Sequence, residues 1–445
     1  MLRYVGQRSR MCITVFFLAY FSAGAQVVHG EMPRCDAPNF ELATQLTMTY
    51  RSALIDIQSS ILNSSAVCTV KAEIWQGLDS PNLSDEAKEA LAASGQAFQL
   101  QISGSAVTVF SSSAQGLLFG LSRLQQLVES NSISDTSTVE YPAIHTRGLH
   151  FVMRNVSYVD FVELIRLARR ARFNTLIVQV ADAVAFDTFP GDLRKDALSK
   201  AEFIQLVHLA KENGLDVIPE IKLLTHQEKF LQNKHPEWMF NKVTYDPGNA
   251  AVYDRVAVYL NELLDAINPT YVHIGHDEVK GFGKAAKRKW LEKGEGPLPA
   301  ELFLHDTLQL YRIITNKGRK VMMWGDMLLG KQFVHEIFQR SWSERSAYAS
   351  IVEKLPTDII VVDWRYFDRG PQYPSVKNLG RTGISVFGAT WDDSDAIRAF
   401  SSYMAGQFPQ NSGMIATTWN AVQRKEWPRV RKIAAESGDA FWYGR

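Results

Sequence analysis

The chain has 445 residues, 46% of them hydrophobic and 21% charged, with a formal net charge of +1. That length allows one large domain and a smaller one, and the charge balance gives no reason to expect nucleic acid or an acidic partner. Ten tryptophans and 11% aromatic residues suit stacking against sugars, although large cores hold tryptophan too.

Residues 1–30 read as a secretory signal peptide. Arg3, Arg8 and Arg10 precede the apolar run from Cys12 to Phe21, and the small residues Ser22, Ala23, Gly24 and Ala25 follow. The run is short for a membrane span, so an uncleaved anchor is the alternative. The expected location is the secretory route, either secreted or in a lysosomal or vacuolar lumen. Export makes Cys35 and Cys68 a candidate disulfide. It also makes Asn63, Asn82 and Asn155 glycosylation acceptors, since each has a serine two positions on.

Residues 35–140 are expected to form a small α+β domain. Glu41 to Leu62 has helical character, and Thr69 to Trp75 alternates like a strand. Ala97–Ile102 and Ala106–Phe110 flank Ser103-Gly104-Ser105 as a hairpin, and Leu117, Leu118, Leu121, Leu124, Leu127 and Val128 keep helical spacing. No charge-bearing constellation appears there, so packing is its expected role. Ser130 to Thr138 reads as a break.

From 143 to 445 short apolar strands alternate with amphipathic helices. The strands are read at Gly148–Met153, Thr175–Val180, Asp216–Ile221, Tyr271–Ile274, Val321–Trp324, Ile359–Trp364, Ile384–Gly388 and Met414–Thr417. The helices include Tyr158–Arg172, Lys200–Asn213, Ala251–Ile267, Glu301–Lys317 and Asp393–Gly406, with a last one from about Pro428. Eight β/α units indicate a (β/α)8 TIM barrel following the α+β domain. A doubly wound sheet is the rival, and it lacks a Gly-rich phosphate loop after the first strand. Residues ending barrel strands converge on one mouth. Those positions hold Arg147, Asp182, His226, Asp277, Glu278, Trp324, Asp326, Trp364, Asp392, Asp393 and Trp419. Carboxylates with three tryptophans suit a pyranose.

His273-Ile-Gly-His-Asp-Glu-Val279 resembles the His-x-Gly-x-Asp-Glu signature of glycoside hydrolase family 20, the β-N-acetylhexosaminidases. Thr146-Arg-Gly-Leu149, Asn174 to Asp182 and Ile218-Pro-Glu-Ile221 through His226 resemble that family's first three strand segments. Met323-Trp-Gly-Asp-Met-Leu328, Asp363-Trp-Arg-Tyr366, Phe387-Gly-Ala-Thr390 and Gly413 to Trp419 are similar to the hexosaminidase D branch. The resemblance implies cofactor-free, substrate-assisted retaining hydrolysis of a terminal N-acetylhexosamine. Glu278 would be the general acid and base. Asp277 would hold the acetamido N–H and stay ionised while burial raises the Glu278 pKa. Asp182 and His226 would tune Glu278, and Arg147 would bind ring hydroxyls. Trp324, Trp364 and Trp419 would wall the sugar. Asp326 would be a further substrate contact and Tyr366 an acetamido contact.

The chain departs from the family pattern in several places. Ile177-Val-Gln179 stands where the family has His-Trp-His, and Lys222-Leu-Leu-Thr-His226 replaces Asp-Met-Pro-Gly-His. Trp391-Asp-Asp393 stands for Tyr-x-Asp, and Ala421 for a carboxylate. Three alternatives stay open. One is a lectin-like sugar binder, one a hydrolase of another glycoside. The third is a metal site drawn from His273, His276, Asp277, Glu278 and Asp326, disfavoured because no His-x-His lies on the first strand. His273 reads as a support beneath the acidic pair, and His276 faces either pocket or solvent. Sequence leaves a homodimer open.

Overall fold

The computed structural model describes residues 38–445 apart from 65, 78–82, 155, 280–297, 331–344, 408–412 and 420–423. The signal segment, Cys12, Cys35, Asn82 and Asn155 lie outside the described residues. Asn63 is exposed. Cys68 is disulfide-bonded, and the other two cysteines of the chain both lie outside the described residues.

The first unit is one five-stranded sheet. Its strands are β1 (Asn39–Leu42), β2 (Thr69–Ile74), β3 (Phe98–Ser103), β4 (Ala106–Ser111) and β5 (Thr136–Glu140), in the order β1-β2-β4-β3-β5. The stretch 41–62 is not one helix. Phe40 and Leu42 alternate with polar neighbours, so they pair as an edge strand and turn both apolar side chains to the core. Helices α1 (Thr44–Thr49) and α2 (Arg51–Leu62) follow, with Tyr50 between them. The stretch read as a break ends in strand β5, whose polar Thr-Ser-Thr run fits a sheet edge paired on one side only. Helix α3 (Asp85–Ala93) lies between β2 and β3. Gly104, at φ +57, closes the β3–β4 hairpin. Helix α4 (Ala114–Glu129), capped by Ser113, packs its leucine face on this sheet.

The second unit is a closed parallel barrel. Its strands run in sequence order: β6 (Thr146–Val152), β7 (Thr175–Gln179), β10 (Asp216–Leu223), β11 (Tyr271–Gly275), β12 (Lys320–Trp324), β13 (Ile360–Trp364), β14 (Ser385–Thr390) and β15 (Gly413–Thr417), with β15 returning to β6. The short pair β8 (Val184–Ala185) and β9 (Leu198–Ser199) sits in the connection after β7. The intervening helices are α5 (Tyr158–Arg170), α6 (Lys200–Glu212), α7 (Ala250–Ile267), α8 (Ala300–Thr315), α9 (Pro374–Gly380) and α10 (Ser394–Gln407), and α11 (Trp427–Tyr443) closes the chain. Capping boxes start two of them. Ser157 and Asp160 satisfy each other's backbone N–H at α5, and Ser199 and Glu202 do so at α6.

Alternate residues of each strand face the barrel axis, as the pleat requires. Ile177, Ile218, Met322, Ile360, Phe387 and Ile415 form an apolar interior cluster. Along β10 the inward positions are Ile218, Glu220 and Lys222, so the interior turns from apolar to charged toward the C-terminal mouth.

The units are locked together by the chain's last helix. Trp442, fully buried, enters the core of the first unit and meets Phe119 edge-on at 5.2 Å and Phe98 at 6.1 Å. Backbone bonds from Ala143 to Trp442 and from Ile144 to Phe441 tie the entry strand to the same helix. Arg169 of α5 reaches Asp56 and Gln125 of the first unit. Replacing Trp442 by Ala should destabilise the protein by about 3–5 kcal/mol, the usual cost of truncating a buried large aromatic. Urea unfolding monitored by circular dichroism measures it.

Candidate active site

Three left-handed residues shape the segment after β11. Gly275 has φ +77, His276 +70 and Glu278 +52. A Cβ on Gly275 would sit 3.2 Å from the Ile221 carbonyl, so this position combines positive φ with a close approach. In an extended chain, neighbouring side chains point to opposite faces. The left-handed turns instead bring Asp277 and Glu278 onto one cleft. Non-glycine residues in this region cost about 1–3 kcal/mol each, so neighbours must hold them there. Three contacts do. His276 Nε2 is 2.9 Å from Asp306 of α8, Thr225 Oγ1 donates to the Asp277 carbonyl at 2.7 Å, and the Glu278 N–H donates to Asp326 Oδ2 at 3.1 Å.

The cleft has a volume of about 390 Å³ and opens at the C-terminal end of the barrel. One wall is aromatic. Trp364 and Tyr366 stack at 4.9 Å, Trp419 Nε1 donates to the Tyr366 hydroxyl at 2.6 Å, and Trp391 lies 5.8 Å from Tyr366. Trp324 forms the floor and donates its Nε1–H to Glu220 Oε1 at 3.1 Å. Burial pushes the Tyr366 phenol above its ordinary pKa, so it stays neutral.

Beneath the acidic pair runs a chain of buried charges. Lys222 Nζ is 3.2 and 3.0 Å from the two Asp277 carboxylate oxygens and 3.4 Å from Glu220. It also lies 4.9 Å from the Trp419 ring centre. Glu220 is completely buried and accepts from His150 Nε2 at 2.6 Å. Burial alone would raise the Asp277 carboxyl, but the Lys222 ammonium and then His226 hold it well below the usual carboxylate range. The same opposition, with Lys222 and then His150 outweighing burial, keeps Glu220 ionised. Burial works against the Lys222 ammonium too, and Asp277 and Glu220 outweigh it. His273 accepts the Gly275 N–H at 3.1 Å, and burial pushes its pKa down to about 4, so it is a neutral support under the pair.

Asp277, Glu278, His226, Trp324, Trp364, Tyr366 and Trp419 meet in this cleft. His226 Nε2 lies 3.5 Å from Asp277 and 3.8 Å from Glu278. Other sequence-derived positions fall elsewhere. Arg147 begins strand β6 and therefore sits at the opposite end of the barrel from the mouth. Its guanidinium donates to the backbone carbonyls of Arg172 at 2.8 Å and Ile144 at 2.8 Å, and lies over Phe119 and Trp442 in the domain interface. Asp326 holds the Glu278 backbone and does not line the cleft. Asp182 lines an adjoining compartment that it shares with His226. Asp392 pairs with Arg429, and Asp393 pairs with Arg369 while capping α10. His276 faces Asp306 rather than pocket or solvent. Among the described residues, no group of three or more His, Cys, Asp or Glu is placed to hold a metal.

Among the lining residues, Val152, Arg154 and Phe367 were not singled out in the sequence, and Gln179, Lys222 and Trp391 entered it only as departures from the family pattern. Arg154 lies two positions beyond the last residue of β6, at the mouth. The direction of a barrel strand, applied strictly, selects it over Arg147. The inward parity of β10 was the signal for Lys222.

The sequence profile of glycosyl hydrolase family 20, catalytic domain, matches residues 176–436. Beta-hexosaminidase 1 of Coccidioides posadasii is 22% identical over 373 residues, 68% of this chain and 62% of that protein. Hexosaminidase D of Homo sapiens is 30% identical over 151 residues, 31% of this chain and 29% of its own length. This chain thus spans less than two thirds of either relative. Among solved structures, Flavobacterium johnsoniae chitobiase superposes with a TM-score of 0.65 at 16% identity, covering 93% of this chain and 67% of that one. Streptomyces plicatus N-acetyl-beta-hexosaminidase in complex with Thio-NAglucal gives 0.62 at 14%, covering 91% and 86%. At these identities the structural likeness shows a shared fold.

Because the folded-state Asp277 carboxyl is depressed, its pairing stabilises the protein above the unfolded carboxylate pKa of roughly 3.9. That stability is lost only as pH falls through the lower folded value. Lys222→Met leaves two buried carboxylates without their cation. The variant should be destabilised by about 3–5 kcal/mol, and its Asp277 should titrate at higher pH. Carboxyl carbon NMR of both proteins across the acid range reads the shift directly.

Proposed function

The chain belongs to glycosyl hydrolase family 20, and on that premise we propose that it is an exo-acting β-N-acetylhexosaminidase that removes terminal N-acetylhexosamine with retention. The observation that carries this reading is the convergence of Asp277 and Glu278 on one aromatic-walled cleft. A pyranose presents its flat face to tryptophan and its hydroxyls to charged groups.

In the proposed reaction the substrate's own 2-acetamido oxygen attacks the anomeric carbon. Glu278 gives its proton to the departing glycosidic oxygen, and an oxazolinium ion forms. Glu278, now a carboxylate, takes a proton from water as the water oxygen opens that ring, which restores the configuration. Asp277 accepts the acetamido N–H and faces the positive charge as it develops. Its pairing with Lys222 suits this role, because a carboxylate locked in place and ionised need not reorganise during reaction. Glu220 and Asp277 carry two negative charges against one from Lys222, leaving the floor net negative beneath the cationic intermediate. Tyr366, held by Trp419 on the cleft wall, would be the contact for the acetamido group, and Arg154 at the mouth would bind ring hydroxyls. We also place the protein in the secretory route. The disulfide at Cys68 suits an oxidising compartment, and the exposed Asn63 offers a glycan acceptor there.

Two experiments test the reading. Wild-type protein should hydrolyse chromogenic β-N-acetylhexosaminides. Glu278→Gln and Asp277→Asn should each lose roughly two or more orders of magnitude in kcat, as for loss of acid catalysis or charge stabilisation. A folded wild type inert on both the gluco and galacto substrates would sink the proposal. In the second experiment, Arg154→Ala should raise KM about tenfold or more, the scale of a lost charge-assisted hydrogen bond. Arg147→Lys should leave KM unchanged and lower only stability.

A further inference from the structure

Outside the cleft, one buried carboxylate gathers contacts that the proposed chemistry does not use. Asp306 of α8 is completely buried. Tyr253 of α7 donates its hydroxyl to Oδ1 at 2.8 Å, Tyr245 donates to Oδ2 at 3.1 Å, and His276 Nε2 lies 2.9 Å from Oδ2. Burial, and then the Asp306 charge, push both phenols above their ordinary pKa, so both remain donors. His276 Nδ1 lies 3.2 Å from the Ile274 carbonyl, so that nitrogen carries a hydrogen. A neutral ring would then turn its Nε2 lone pair toward a carboxylate, which is repulsive. The ring and Asp306 therefore form a buried imidazolium–carboxylate pair, and such a pair is costly to break by removing one partner.

Two of these donors lead to the site by different routes. His276 belongs to the left-handed turn that carries Asp277 and Glu278. Tyr245 lies further along the loop after β10, and its N–H donates to the Leu224 carbonyl at 3.1 Å. Leu224 and His226 have φ +66 and +56, conformations that cost free energy and need neighbours to hold them. The two strained segments meet at the cleft. There Thr225 donates to the Asp277 carbonyl, and His226 Nε2 lies 3.5 Å from Asp277 and 3.8 Å from Glu278. Behind them, Asp306 holds both. Tyr253 comes from α7 and belongs to neither segment.

We propose that Asp306 is a positioning residue for the reaction: through His276 on one side and Tyr245 on the other, it sets where His226 stands relative to Asp277 and Glu278. Loosening it leaves the cleft walls in place but blurs the alignment on which proton transfer by Glu278 and charge stabilisation by Asp277 depend. The inference rests on the reading of the cleft as a hexosaminidase site.

Steady-state kinetics of the full chain on a chromogenic β-N-acetylhexosaminide, with thermal unfolding of each variant alongside, tests it. Asp306→Asn keeps the shape and an oxygen for the phenols but removes the charge that faces His276. Its kcat should fall about tenfold or more, the scale of one charge-assisted hydrogen bond, while KM stays within about twofold. Tyr245→Phe and Tyr253→Phe each delete one hydroxyl from the same carboxylate. Only Tyr245→Phe should lower kcat, by about threefold or more. It should add little in the Asp306→Asn background, because residues that act as one unit are not additive. Tyr253→Phe should lower only the unfolding temperature. Equal kcat losses from the two tyrosine variants, or wild-type kcat in Asp306→Asn with only a lower unfolding temperature, overturn the inference and leave Asp306 as a support of the fold. If Asp306→Asn does not fold, the tyrosine pair decides alone. Should wild-type protein be inert on the substrate, the reading of the cleft itself fails and the inference falls with it.

Discussion

One cation shared between two buried carboxylates sets the terms for the barrel's interior. Lys222 lies between Glu220 and Asp277, and each of the three is costly to bury alone. Together they let the mouth hold fixed charge in a setting where water is excluded and Coulomb forces reach further. The arrangement depends on β10 presenting Ile218, Glu220 and Lys222 inward in succession. It depends also on side groups that take up the remaining hydrogen-bonding capacity of Glu220, namely His150 and Trp324. Trp324 thus serves twice, as floor to the cleft and as donor to the charge beneath it.

The second constraint is backbone shape. A run of left-handed residues is tolerated after β11 because its neighbours fasten it at three points, from β10's following loop, from α8 and from the loop after β12. Strain and anchoring together aim two adjacent side chains at one space. Leu224 and His226, on the neighbouring loop, also have positive φ. The unusual backbone is therefore concentrated around the acidic pair, as expected where surrounding structure over-determines a functional geometry.

Much of the fold could be read from sequence because barrel strands are buried on both faces and appear as short apolar runs between amphipathic helices. The strands at Thr175, Asp216, Tyr271 and Gly413 follow that rule. It fails at sheet edges, where β1 and β5 are half exposed and carry too little apolar pattern to stand out from loops. For the site, the acidic pair announced itself because adjacent ionisable groups follow an apolar strand. Lys222 did not, because a lysine near a strand end reads as solvated until the closure of the barrel shows its side chain pointing inward. Arg147 misled for a related reason. An arginine beside a strand is informative only once the strand's direction says which end of the barrel it occupies. Asp326 and Asp182 lie near the mouth by sequence position, and only tertiary geometry separates holding a backbone from lining a cleft.

The insertion of Trp442 into the first unit has a consequence for how the chain matures. That unit is synthesised early, yet one of its core side chains comes from the end of the last helix. During vectorial synthesis its sheet and α4 can assemble around a gap, but the gap closes only when the final turn of α11 has emerged. Of the two units described, the one made earlier is the one completed last. Until then the apolar face beside Phe98 and Phe119 lacks the ring that covers it in the folded protein.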